Sequence, residues 1–87
     1  MREENTRLAL TIVKAIEKRF SEFSAEYPNL KFVLIDNENN IITDVSCNGA
    51  LVEFRMLAND GSEYLKLRSP NDISIKIKPT KRSIGLN

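Results

Sequence analysis

The chain contains no histidine and one cysteine, Cys47, so hydroxyls, lysines and carboxylates are the groups left for chemistry. Losing imidazole removes the commonest general base and every triad built on it, and one sulfur alone cannot make a tetrahedral zinc site. Cys47 itself stands beside Asn48-Gly49 at the end of an alternating apolar run, which is the place of a buried structural thiol. Asp36-Asn37-Glu38-Asn39-Asn40 sets oxygen ligands at alternate positions, like the opening of a calcium loop. That pattern then stops, because Ile41 stands where the loop needs glycine and Cys47 where it needs a bidentate glutamate. It reads as a polar hairpin loop. Asp44 and Glu53 form a carboxylate pair on an open sheet face without a pocket, and the three glycines are too scattered to cradle a phosphate. No catalytic, cofactor-binding or metal-binding residue is therefore assigned, no cofactor is expected, and the chain is expected not to be an enzyme.

The remaining polar groups must act through a surface, and the secondary structure decides which surface. Apolar residues at Ala9, Ile12, Val13, Ile16, Phe20, Phe23 and Tyr27 follow the three-and-four spacing of one helical face. This predicts a helix from Thr6 to about Glu26, with Glu3 and Glu4 favouring its N-terminus, Asn5 or Thr6 capping it and Pro28 stopping it. After Pro28 the period becomes two. Leu30–Ile35, Ile41–Cys47, Ala50–Leu57, Glu63–Arg68 and Ile73–Lys78 read as strands separated by turn-forming segments. The expected fold is α+β: one long N-terminal helix packed on a four- or five-stranded antiparallel meander sheet, in a single domain over 1–87. Residues 79–87 read as a loose basic tail.

Asn48-Gly49 and Asp60-Gly61 are strong two-residue hairpin signals, and a turn of that kind fixes register. Placing both turns there pairs Cys47 with Ala50, Val45 with Val52, Thr43 with Phe54 and Ile41 with Met56. The second turn then pairs Met56 with Leu65 and Phe54 with Leu67, all on the inner face. Ile73, Ile75 and Ile77 continue that face. On the outer face Asp44 meets Glu53, Glu53 meets Arg68, Ile42 meets Arg55, Arg55 meets Lys66 and Leu57 meets Tyr64. If the 69–72 loop carries the next strand beside this one, Arg55, Lys66 and Lys76 form a basic row with Arg68 and Lys78 close by.

Composition sets the class of partner. Hydrophobic residues at 41% and charged residues at 29% suit a globular domain. Thirteen basic against twelve acidic residues give a net charge of +1, so global charge selects neither nucleic acid nor an acidic partner. The polar N-terminus, the absence of a long apolar run and the unpaired cysteine point to a soluble cytoplasmic protein without a membrane partner. The expected function is a small protein-interaction module, such as a regulator, inhibitor or assembly subunit, acting through the exposed sheet face or an edge strand. Ile42, Leu51, Leu57 and Tyr64 are its expected apolar contacts, with self-association as one form of it. The second expectation is binding of nucleic acid or a phosphorylated ligand through Arg55, Lys66, Arg68, Lys76 and Lys78, with Tyr64 stacking on a base.

Overall fold

The computed structural model describes residues 2–80, with side chains from Thr6 onward. It is an α+β fold in which one helix, α1 (Arg2–Glu26), packs on a five-stranded antiparallel sheet. The strands are β1 (Phe32–Asp36), β2 (Ile41–Asn48), β3 (Leu51–Leu57), β4 (Glu63–Arg68) and β5 (Ile75–Pro79). The helix begins earlier than the apolar stripe implies, so Asn5 and Thr6 lie inside it rather than capping it. Its end follows from Pro28, which has no N–H to continue the ladder; the Tyr27 and Leu30 amides close the last turns on Phe23 O and Tyr27 O instead. Phe23, Tyr27 and Phe32 then cluster, with centroids 4.8–6.1 Å apart, and fix the end of α1 against the start of β1.

The core lies between α1 and the middle of the sheet. Ala9 and Val13 from the helix meet Ile42, Val45, Val52, Phe54 and Met56 from β2 and β3, all of them buried. Ala9 is fully buried, which lets the helix backbone come close to the sheet. Ile12, Ile16, Leu34, Cys47, Ile73 and Ile75 border this cluster, so the thiol is half-buried beside the core, with Sγ donating to Gly49 O at 3.6 Å.

The order across the sheet is β4-β3-β2-β1-β5. The first four strands form a meander, but β5 does not follow β4; it crosses to the opposite edge and pairs with β1 through Ile77 opposite Leu34 and Ile75 opposite Asp36. β4 ends at Arg68 level with Val52, while β5 starts level with Asp36, near the other end of β2. On a flat sheet those points would lie about 28 Å apart, given strand spacings near 4.8 Å and a rise near 3.3 Å per residue. Seven Cα steps reach only about 24 Å. The sheet is therefore curled, its inner face is concave, and the 69–74 connection crosses that face with Ile73 turned onto the core. Pro79 completes β5, and the Thr80 amide donates to Lys31 O at 2.9 Å, so residues 79 and 80 belong to the sheet rather than to a tail. The rest of the expected tail, residues 81–87, lies outside the described residues.

Both hairpins differ from the expected register, for separate reasons. Asn48 pairs with Leu51, so the first turn is Gly49-Ala50. Gly49 has φ of +61° and Ala50 does not share the left-handed region, the signature of a type II′ turn with glycine first. Further up, a bulge between Ile42 and Asp44 makes Thr43 an extra residue, and its Oγ1 donates to Arg55 O at 3.1 Å. The bulge turns Ile42 inward to 4% exposure and leaves Ile41 outside at 38%.

The second turn has three residues, Asn59-Asp60-Gly61. The Gly61 amide donates to Ala58 O at 3.0 Å and the Ala58 amide to Ser62 O at 2.8 Å, and Gly61 has φ of +91°. This is a type I turn followed by a left-handed glycine. The Asp60 carboxylate accepts from Ser62 Oγ at 2.6 Å and from the Ser62 amide at 2.9 Å, and these bonds hold its pKa below the ordinary value. No atom would obstruct a Cβ at Gly61, so only its backbone angle resists substitution. Gly61→Ala is accordingly expected to cost about 1 kcal/mol, read as a lower thermal midpoint with the fold retained.

Candidate interaction surface

The three-residue turn moves β4 by one residue along β3, and a one-residue shift exchanges the two faces of a strand. Met56 is opposite Tyr64, Phe54 opposite Lys66 and Val52 opposite Arg68, so Tyr64, Lys66 and Arg68 share the inner face with the core residues of β3. Leu65 and Leu67, expected inside, stand on the outer face opposite Arg55 and Glu53. They are 56% and 48% exposed. Both are in an alternating strand, and what misplaces them is the loop length. The order Asn-Asp-Gly, with glycine third, is the sequence signal for a three-residue loop.

The basic row is not formed. Arg55 is on the outer face and bridges Glu63 at 3.3 Å, whereas Lys66 points inward, so the two do not meet. Arg55 instead opposes Asp44 on β2, and Glu53 opposes Ser46, so the expected like-charged pairs are replaced by an opposite-charge pair and a neutral one. Lys76 and Lys78 belong to the far edge, opposite Ile35 and Val33 of β1. Arg68 borders the inner cleft. Among the expected apolar contacts, Ile42 is buried and Tyr64 is on the inner face at 43% exposure. Leu51 does stand outside at 39%, and Leu57 is half-buried between Ile41 and Glu63.

The inward lysine has a destination. Lys66 Nζ donates to Asp36 Oδ2 at 2.8 Å, joining β4 to β1 beneath the 69–74 crossover. Asp36 is 5% exposed and its carboxylate accepts from the Glu38 amide at 2.9 Å, the Asn40 amide at 2.8 Å and Asn40 Nδ2 at 3.2 Å. Burial works to raise its pKa, and the bonds from Lys66, Asn40 and Glu38 outweigh it, holding the carboxyl well below the usual range. With its acceptor positions filled, Asp36 has nothing left to offer a ligand or metal; the Asp36–Lys66 pair is a clasp between strands. Its hydrogen bonds also shape the 37–40 loop, where Asn39 takes a φ of +68°.

The outer half of β4 remains. Among the described residues it is an edge strand paired only with β3, and its exposed Leu67 lies diagonal to the exposed Leu51 of β3. The other edge, β5, carries Lys76 and Lys78 and ends in Pro79, whose missing N–H blunts an edge against pairing. β4 also carries charge, but Lys66 and Arg68 face inward, and among the described residues its outer side presents Leu65 and Leu67 with no proline in the strand.

No family model, curated protein or solved structure matches the chain. The surface must therefore be interpreted from its own chemistry. Among the described residues, no helix is long and apolar enough to cross a membrane, and no cluster of three metal-ligating side chains occurs.

Proposed function

We propose that this protein is a small non-catalytic interaction module that takes an extended strand of a protein partner along the β4 edge. The supporting observation is the exposed pair Leu65 and Leu67 on an edge strand whose lysine and arginine face inward. Strand addition at such an edge draws affinity from main-chain hydrogen bonds and selectivity from the alternate side chains. Apolar side chains next to unpaired backbone groups supply both. A regulator, an inhibitor and an assembly subunit all use contacts of this type. The anion-binding expectation loses its main support, since Arg55 and Lys66 lie on opposite faces and each is bound to a carboxylate.

A photo-crosslinking amino acid at position 65 tests the reading, with the same group at exposed Lys14 on the helix as control. Irradiation in cells is expected to give protein adducts from position 65 and few from position 14. Equal labelling from both sites, or none from position 65, would remove the β4 edge as an interaction surface.

A further inference from the structure

We infer that the strand received at the β4 edge comes from a second copy of this chain, paired antiparallel about a two-fold axis at Lys66. This deepens the interaction reading and rests on it. The product is one continuous sheet of ten strands, five from each copy.

The backbone permits the pairing. In an antiparallel ladder, residues alternate between bonding one neighbour and bonding the other. The Ala58 amide bonds Ser62 O, so Tyr64, Lys66 and Arg68 continue the bonding to β3, in register with Met56, Phe54 and Val52. The N–H and C=O groups of Glu63, Leu65 and Leu67 consequently face the open edge. Pairing about Lys66 sets Leu65 against the second copy's Leu67, and Leu67 against its Leu65. Each pair exchanges two main-chain bonds through groups that already point that way.

The side chains also match. A two-fold interface needs a self-complementary strand, because every contact of residue i with residue j is repeated as j with i. Tyr64-Leu65-Lys66-Leu67-Arg68 meets that condition about its centre. Leucine meets leucine twice on the outer face, and Tyr64 meets Arg68 twice on the inner face, an aromatic–guanidinium pairing. The residue on the axis is the apparent obstacle, since Lys66 faces Lys66 and an inward charge on an edge strand ordinarily discourages pairing. Here Asp36 on β1 holds each ammonium at 2.8 Å, drawing it inward from the edge with its charge neutralised.

Closure follows from the asymmetry of the sheet. Two-fold pairing uses both open β4 edges and leaves the Pro79-bearing β5 edges outermost, so association stops at two copies. One six-residue strand offers less contact than a standard interface, so the expected association is weak.

Charge exchange at two exposed positions tests the register as well as the pairing. Sedimentation equilibrium of the wild type should show a monomer–dimer equilibrium, and Leu65→Lys, Leu65→Glu and Leu67→Glu should each weaken it by roughly tenfold. An equimolar mixture of Leu65→Lys with Leu67→Glu should recover most of the wild-type affinity, whereas Leu65→Lys with Leu65→Glu should not. Hydrogen exchange on the unaltered chain gives a second readout: the Leu65 and Leu67 amides should slow as concentration rises. A wild type that stays monomeric at millimolar concentration, amide exchange independent of concentration, or equal recovery in both mixtures would each overturn the proposal. The crosslinks from position 65 separate the two levels. Adducts with other proteins but not with this chain reject self-pairing while leaving the interaction reading intact, and a lack of adducts rejects both.

Discussion

Asp36→Ala is expected to lower the unfolding free energy by about 2–4 kcal/mol, seen as a lower urea midpoint with an unchanged slope. The loss has three parts, all at one carboxylate. The Glu38 and Asn40 amides lose the acceptor that shapes the β1–β2 loop, the Asn40 side chain loses the shorter of its two bonds, and Lys66 loses its counter-ion. Breaking a fully buried ion pair costs about 3–5 kcal/mol because the surviving charge is stranded. The Lys66 side chain is 22% exposed and can swing toward water, which sets the estimate somewhat lower. Lys66→Met should cost less than Asp36→Ala, because the carboxylate keeps its three local bonds. A double-mutant cycle isolates the coupling between them; a coupling near zero would show that the clasp does not hold β4 to β1.

The same group gives stability a pH dependence of definite sign. The Asp36 pKa is depressed in the folded chain below its ordinary value of 3.8, so folding favours the ionised form. Its contribution is fully present above about pH 4 and is lost as pH falls below that, when the unfolded chain takes up a proton that the folded chain resists. Asp36→Ala should therefore flatten the stability profile on the acid side, with little change in its shape from about pH 6 to 8. Urea unfolding of both proteins through the acid range measures it, and parallel profiles would show that another carboxylate is responsible.

The parts of the fold visible in the sequence are those fixed by local periodicity. The apolar stripe from Ala9 to Tyr27 marks the helix, and alternation from residue 32 onward marks five strands whose boundaries shift by at most two residues. Hairpin register depends on loop length, and there a single residue reverses an entire strand. Ile42 and Val45 are three apart, a spacing that no regular strand can turn to one face, and this marks the bulge at Thr43. The Asp36–Lys66 pair carries no comparable local signal. It joins residues 30 positions apart, and it forms because β5 crosses back to β1 and the sheet curls to let it. The candidate surface shares that origin. Leu65 and Leu67 are ordinary apolar positions of an alternating strand until the Asn59-Asp60-Gly61 loop turns them outward.

That reversal makes the last prediction a contrast rather than a single value. Phe54→Ala is expected to destabilise by about 3–4 kcal/mol, because the ring is 3% exposed at the centre of the core and its removal leaves a cavity. Leu65→Ala and Leu67→Ala should each cost less than about 1 kcal/mol when measured at low concentration, where self-association makes no contribution. A two-residue turn at Asp60-Gly61 would reverse the expectation for Leu67, setting it inside against Phe54, where truncation of a leucine costs about 2–5 kcal/mol. The unfolding free energy of Leu67→Ala thus discriminates between the two registers without a structure. A large loss would return Leu67 to the core and remove the β4 edge as a docking strand, whereas a small one leaves two exposed leucines on an open edge whose occupation their burial alone would favour.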